Sequence, residues 1–328
     1  MTRGVLIAGS LGIALVLAML ASLAGGAVAV SPQTIWNTLF DLDGPQQAFI
    51  INRSRLPRTL LAALTGASLA VSGAIIQALL RNPLASPKII GINSGAAFAV
   101  LVAAVVAPSA ALFAVPVFAA MGGTFAAAAI YLLAETNHVS PARLALIGVA
   151  FGFTADAGVD FILVTADSYA ISAPLVWLTG SLWGRGWDHL NIAAPILVPM
   201  AALSLCGAYR LDLFQLGTTQ AQGLGVHVRS TRMVLLALAT LLASVSVGMV
   251  GVLGFVGLMA PHIARMLVGG RHVALLPVAL LIGALLVVLA DAAGRALFPP
   301  IEISAGILTA LFGAPFFIYL LITRRLEA

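Results

Sequence analysis

Between Arg58 and Arg81 the chain reads TLLAALTGASLAVSGAIIQALL (residues 59–80), without one charged side chain. About 20 apolar residues in a helix cross a hydrocarbon layer roughly 30 Å thick. In lipid every backbone N–H and C=O must be satisfied internally, so only a helix or a closed barrel can cross. The stretch is too long for a barrel strand and lacks strand alternation, which leaves the helix. Gly66, Ala70, Ala74 and Ala78 recur every fourth residue and form one stripe. Such stripes let membrane helices approach closely, and packing is favoured over a pore lining.

Comparable segments recur outward in both directions. The expected spans are 4–30, 58–80, 89–107, 112–134, 141–165, 190–209, 229–249, 255–268, 274–297 and 304–323. The fold class is therefore an all-α integral membrane protein of ten transmembrane helices, in a single transmembrane domain, 1–328. Composition agrees: 61% of residues are hydrophobic and 8% charged, too few charges to cover a soluble surface. The apolar run after Arg3 exceeds the core of a signal peptide and reads as a retained first helix. Basic residues sit singly or in small groups between spans, which speaks for topology rather than nucleic acid. Their bias puts both termini in the cytoplasm and leaves Arg53, Arg55, Arg58, Arg185 and Arg295 outside. Cys206 is the only cysteine, so neither a disulfide framework nor a thiolate metal site is expected.

Three connections are more than turns. The external segment from Ser31 to Pro57 opens with Ser31-Pro32, a helix-start signal. Ser168 to Asp188, also external, carries SAPLVWLTGSLWGRGW, too short and broken to span, and reads as a re-entrant or interfacial helix. The internal loop at about 210–228 has Thr218 and Thr219 as candidate N-caps and Gly217, Gly223 and Gly225 as breakers, so two very short helices fit.

Acids inside spans are costly and point to function, here Asp156, Asp160 and Asp291. Gly148, Gly152, Asp156 and Asp160 repeat every four residues and share a helix face, a candidate translocation path. Hydration at the outer end of the helix explains the two acids equally well. Asp291 has Arg295 four residues on, and an i,i+4 pair is its favoured role. Lys88 is the only lysine and follows Pro87, so no phosphate-binding loop ending in Gly-Lys-Ser/Thr exists. ATP must be hydrolysed by another chain. The histidines are scattered without metal-ligand spacing, and no metal site is expected. Intramembrane proteolysis through Ser181 or the Asp156/Asp160 pair is disfavoured, because acids one turn apart do not face each other across a substrate. No catalytic residue is assigned. The rival from another class is an ion-coupled secondary transporter relaying protons through Asp156 and Asp160.

Four blocks carry a resemblance: RLPRTLLAALTGASLAVSGAIIQALLRNPLASPKIIG (55–91), WLTGSL (177–182), GFVGLMAPHIAR (254–265) and GILTALFGAPFFIYLL (306–321). Together they resemble the permeases of bacterial ABC importers for iron-siderophores, haem and cobalamin, of the type II permease fold. The resemblance implies a homodimer in the inner membrane with the substrate path on its twofold axis. It further implies two cytoplasmic ATPase subunits, which carry the ATP and Mg, and a periplasmic substrate-binding protein. No cofactor is expected on this chain. Arginines that meet the binding protein in such permeases correspond to Arg55, Arg58 and Arg295. The usual Glu-Leu-Pro before the last helix reads IEIS here, retaining Glu302 but not the proline. The segment that couples to the ATPase corresponds to Leu216, Gly217, Ala221, Leu224 and Gly225, with Thr219 and Gln222 among them. Haem is the first expectation for the cargo, ahead of a ferric siderophore and cobalamin.

Overall fold

A helix that is apolar on every side must be covered on every side, and the run at 59–80 is placed accordingly. The structure is a computed structural model that describes residues 2–26, 30–40, 49–106, 112, 114–134, 141–165 and 174–323. The elements are α1 (Thr2–Ala24), α2 (Pro32–Leu39), a π-helical turn (Phe49–Arg55) running into α3 (Leu56–Leu80), α4 (Ile92–Val106), α5 (Ala114–Ala134) and α6 (Pro141–Thr165). They continue with α7 (Trp187–Cys206), α8 (Ala208–Gln215), α9 (Thr218–Gly223), α10 (Val228–Val250), α11 (Val256–Val268), α12 (His272–Ala296) and α13 (Ala305–Thr323). Among the described residues there is no strand.

Each expected span coincides with one helix. Seven of these, α1, α3, α5, α6, α7, α10 and α12, are long and apolar enough to cross a membrane, while α4, α11 and α13 are shorter apolar helices. Arg324, Arg325, His138 and the start of the segment after Ser168 lie outside the described residues.

α3 is the central helix: 83% of its membrane-length window is buried, against 6% for α1. It packs on α12, α10, α11 and α7. The small-residue stripe is a packing surface, as its spacing suggests. A Cβ on Gly66 would overlap the carbonyl oxygen of Gly283 on α12, and Ala70 and Ala74 are fully buried. Farther along, a Cβ on Gly73 would overlap the carbonyl oxygen of Gly257 on α11.

α10 and α11 are halves of one interrupted path, broken at Gly251–Phe255. Gly251 has φ +76 and Phe255 φ +63, so the chain turns through left-handed conformations there. Irregular backbone at membrane depth is tolerated where protein covers it. A short helix at residues 174–178 and the turn after it supply that cover: Gly251 lies against the Trp177 carbonyl, and Gly306 N–H of α13 donates to Gly180 O at 2.9 Å. Gly313 of α13 leaves room for the Phe255 ring, since a Cβ there would stand 2.5 Å from Phe255 Cβ.

Local signals in the connections are confirmed in one case and corrected in another. Ser31 caps α2, its Oγ accepting from Thr34 N–H at 3.1 Å. The loop at about 210–228 does form two short helices, α8 and α9, but neither Thr218 nor Thr219 caps the second. Gly217 does so, at φ +119, a conformation open to glycine and unfavourable for threonine.

Candidate functional site

At the end of the bundle where α3 begins and α12 finishes, the three arginines expected to meet a partner are turned inward. Arg55, Arg58 and Arg295 are 7%, 8% and 6% exposed. Asp291 joins two of them. Arg58 grips its carboxylate through Nη2 and Nε at 2.8 and 3.0 Å, and Arg295 Nε adds a bond at 3.1 Å from one turn along the same helix. The i,i+4 pair read from spacing is thus present, within a larger network. Arg58 Nη1 also pairs with Glu302 at 2.9 Å, the most exposed member of the group.

The same guanidiniums close the end of α1. The last carbonyls of a helix lack intrahelical partners and carry its negative pole, so cations are favoured there. Arg55 Nη1 donates to Leu23 O at 2.6 Å and Ala24 O at 3.2 Å, while Arg295 donates to Ser22 O at 3.0 Å and Gly25 O at 3.1 Å. Ser22 Oγ and Thr59 Oγ1 lie 2.9 Å apart, joining α1 to α3. Four segments therefore meet at one buried charge network.

The candidate path face on α6 divides into a buried half and an exposed half. Gly148 and Gly152 are buried against the turn that joins α3 to α4: a Cβ on Gly148 would stand 2.9 Å from Ile90 Cα, and one on Gly152 3.4 Å from Gly91 Cα. Gly148 allows the close approach of the turn, while Gly152 makes ordinary contact with it and also borders the recess beside Asp156. Asp156 and Asp160, one and two turns on, are exposed. Between the turn, α6 and the start of α11 lies a recess of about 340 Å³ bordered by Lys88, Ser94, Asp156 and Phe255.

At the opposite end from the arginine network, the segment expected to couple to an ATPase forms two short helices, of which the first is anchored. Asp212 of α8 accepts from His272 backbone N–H at 2.5 Å and lies 2.9 Å from His272 Nδ1. Arg81 Nη2 donates to Phe214 O at 3.0 Å, and Gln215 to Gly270 O at 3.2 Å. α8 is thereby tied to the ends of α3, α11 and α12. Beyond α8, Ala221 is fully buried, whereas Gln222, Leu224 and Gly225 are exposed, as is Leu216 between the two helices. Sequence reading gave no site role to Asp212, His272 or Arg81, and used Lys88 only to exclude a phosphate-binding loop. Asp212 carried a usable signal, as the sole acid between Leu190 and Asp291.

Membrane-length helices around a buried α3, a covered helix break and an anchored hairpin define a polytopic helical membrane protein of transporter architecture. Its relatives are specific. The FecCD transport family profile matches residues 14–323, and the chain belongs to that family. It is 41% identical over 311 residues to the Fe(3+)-citrate import system permease protein YfmE of Bacillus subtilis, covering 95% of this chain and 93% of that one. It is 42% identical to the Fe(3+) dicitrate transport system permease protein FecD of Escherichia coli, covering 86% and 88%. It is 39% identical to the hemin transport system permease protein HmuU of Yersinia pestis, covering 98% and 96%. Among solved structures, a chain of an inward-facing metal-chelate type ABC transporter superposes with a TM-score of 0.85 at 32% identity, covering 98% of this chain and 100% of that chain. Membership of a family of ABC importer permeases does not favour the ion-coupled alternative.

Proposed function

We propose that this chain is the membrane-spanning subunit of an ABC importer that moves a bulky iron chelate from periplasm to cytoplasm. The observation that carries it is the end-to-end likeness to permeases named for ferric citrate and hemin. It works as a homodimer in the bacterial inner membrane with both termini cytoplasmic. The exposed acids on α6 support the dimer, because a second copy would enclose that face in a wet path and spare Asp156 and Asp160 from lipid. Exposed Phe153 and Phe161 on α6 and Leu311 and Phe312 on α13 offer apolar surface for such a contact. Haem, the first expectation, stands beside ferric citrate as a candidate cargo.

ATP and Mg belong to two partner ATPases, which the hairpin of α8 and α9 receives. Leu216, Thr219, Gln222, Leu224 and Gly225 face them, while Gly217 and Ala221 shape the turn and its base. A rigid push on α9 reaches the bundle through the Asp212 and Arg81 tethers of α8. Gly223 has open space where a Cβ would point and no left-handed φ, so Gly223→Trp adds bulk without strain. That variant is expected to fold normally yet lose uptake at least about tenfold, the effect of roughly 1.4 kcal/mol at an interface. Uptake at the wild-type rate with normal expression would remove the hairpin from the mechanism.

A periplasmic binding protein docks at the end marked by Arg55, Arg58 and Arg295. Since these are already bonded within the chain, its carboxylates must replace Glu302 or the α1 carbonyls as acceptors. The experiment for the whole reading uses proteoliposomes holding this chain with its ATPase and binding protein. ATP-dependent uptake of an iron chelate is expected, with no hydrolysis by the isolated chain. Hydrolysis by the isolated chain, or uptake driven by a proton gradient without ATP, would overturn it.

A further inference from the structure

Two opposite charges border one recess without meeting. Lys88, the only lysine of the chain, is exposed on the turn between α3 and α4, and Asp156 is exposed on α6 across from it. Neither side chain has an ion pair or hydrogen bond among the described residues, unlike the arginine network. Asp156 falls at the middle of the membrane-length window Leu146–Thr165. A carboxylate at that depth cannot face lipid cheaply, so the recess opens to water or to the space between two copies.

The turn that carries Lys88 is held by its backbone. Gly91 N–H donates to Lys88 O at 3.1 Å, Ile92 N–H to Pro87 O at 3.0 Å, and Ile89 N–H to Ser86 Oγ at 3.3 Å. The glycine contacts of α6 press the same turn into place, since a Cβ at Gly91 would come within 2.8 Å of Gly148 O. A cation carried on a fixed turn and a Ser94 hydroxyl bordering the same recess suit an anionic oxygen, while Phe153, Phe255 and Leu258 supply apolar wall for the rest of a ligand.

We propose that Lys88 and Ser94 form a subsite that takes a carboxylate of the cargo as it passes, so that this permease carries carboxylate-bearing iron chelates. The inference rests on the importer reading. Asp156 opposite keeps the subsite shallow, because a path must bind well enough to admit a ligand and weakly enough to release it. Haem, through its propionates, and ferric citrate both meet this requirement. Cyanocobalamin, whose periphery carries amides in place of free carboxylates, does not.

The test measures uptake of ferric citrate, haem and cyanocobalamin by proteoliposomes containing the complete transporter, with Lys88 as wild type, Arg, Gln or Glu. Uptake of ferric citrate or haem is expected, and whichever is carried identifies the source of the carboxylate. Lys88→Gln should lower that rate about fivefold, the size of one charge contact in a wet site, Lys88→Glu should lower it further, and Lys88→Arg should restore it. Rates unchanged in Lys88→Gln and Lys88→Glu, or Lys88→Arg falling as far as Lys88→Gln, would overturn the subsite while the importer stands. Uptake of cyanocobalamin in place of the other two overturns the cargo class without any variant, which covers the case where a substituted chain fails to insert. No uptake of any of the three by wild type, with ATPase and binding protein present, overturns the cargo class, and the importer reading falls with it only if a ferric siderophore is not taken up either.

Discussion

Asp291→Ala is expected to destabilise the protein by roughly 3–5 kcal/mol, the usual consequence of stripping one partner from a buried charge network. Asp291 is 2% exposed and accepts from both Arg58 and Arg295. Without it Arg58 keeps only Glu302, and two guanidiniums are left close together at the top of α3 and α12 with less compensation. Arg295 still has Ser22 and Gly25 of α1 as acceptors, so the damage should centre on Arg58. Asp291→Asn, which keeps an acceptor oxygen, should fall between wild type and alanine. The double variant Arg58→Met/Asp291→Leu should recover much of the loss, because an apolar pair of similar size avoids the desolvation of both ions. Thermal melting of the detergent-solubilised protein reads all of these. A melting curve for Asp291→Ala that overlays wild type would show the network to be ornamental. The double variant also separates stability from docking: restored melting with lost binding-protein affinity assigns Arg58 to the partner, and restored affinity assigns it to the fold.

Much of this was legible in the sequence because it depends on spacing within one helix. The spans follow from apolar length, the stripe from Gly66 to Ala78 from its period of four, and the Arg295 to Asp291 bond from one turn of separation. What escaped reading depends on distant segments. Arg58 and Asp291 are 233 residues apart, and nothing local in either predicts their pairing. An arginine at the mouth of an apolar run reads as exposed and topological, yet Arg55, Arg58 and Arg295 each find carbonyls or a carboxylate and are buried. Gly148, Gly152, Asp156 and Asp160 share a period and still differ in exposure, since the turn at Ile90 and Gly91 covers α6 only along its first half. Threonines before a short helix suggested caps, but the preceding glycine alone could adopt the conformation the turn required.

The second large effect lies where α3 crosses α11. Gly73→Leu is expected to abolish recovery of folded protein, because even a Cβ at Gly73 overlaps the Gly257 carbonyl oxygen and stands 2.8 Å from Gly257 Cα. The neighbour that would have to yield is backbone, in a helix of 13 residues whose other side is held by α12. Moving α11 outward would also open the break at Gly251–Phe255, where Gly251 is pressed against the Trp177 carbonyl. Overpacking an ordinary core costs about 1–3 kcal/mol because side chains can shift. Here rotamer changes cannot relieve the clash, so the cost exceeds that range and Gly73→Ala alone should already destabilise. Gly9 on α1 is the matched control, exposed and with nothing within 4 Å of where a Cβ would stand, so Gly9→Leu should leave the protein unaffected. Size-exclusion profiles after detergent extraction, at equal expression, decide the matter. A single symmetric peak for Gly73→Leu with the melting temperature of Gly9→Leu would mean that α3 and α11 do not need their glycine contact, and that the close crossing is not what holds the broken helix in place.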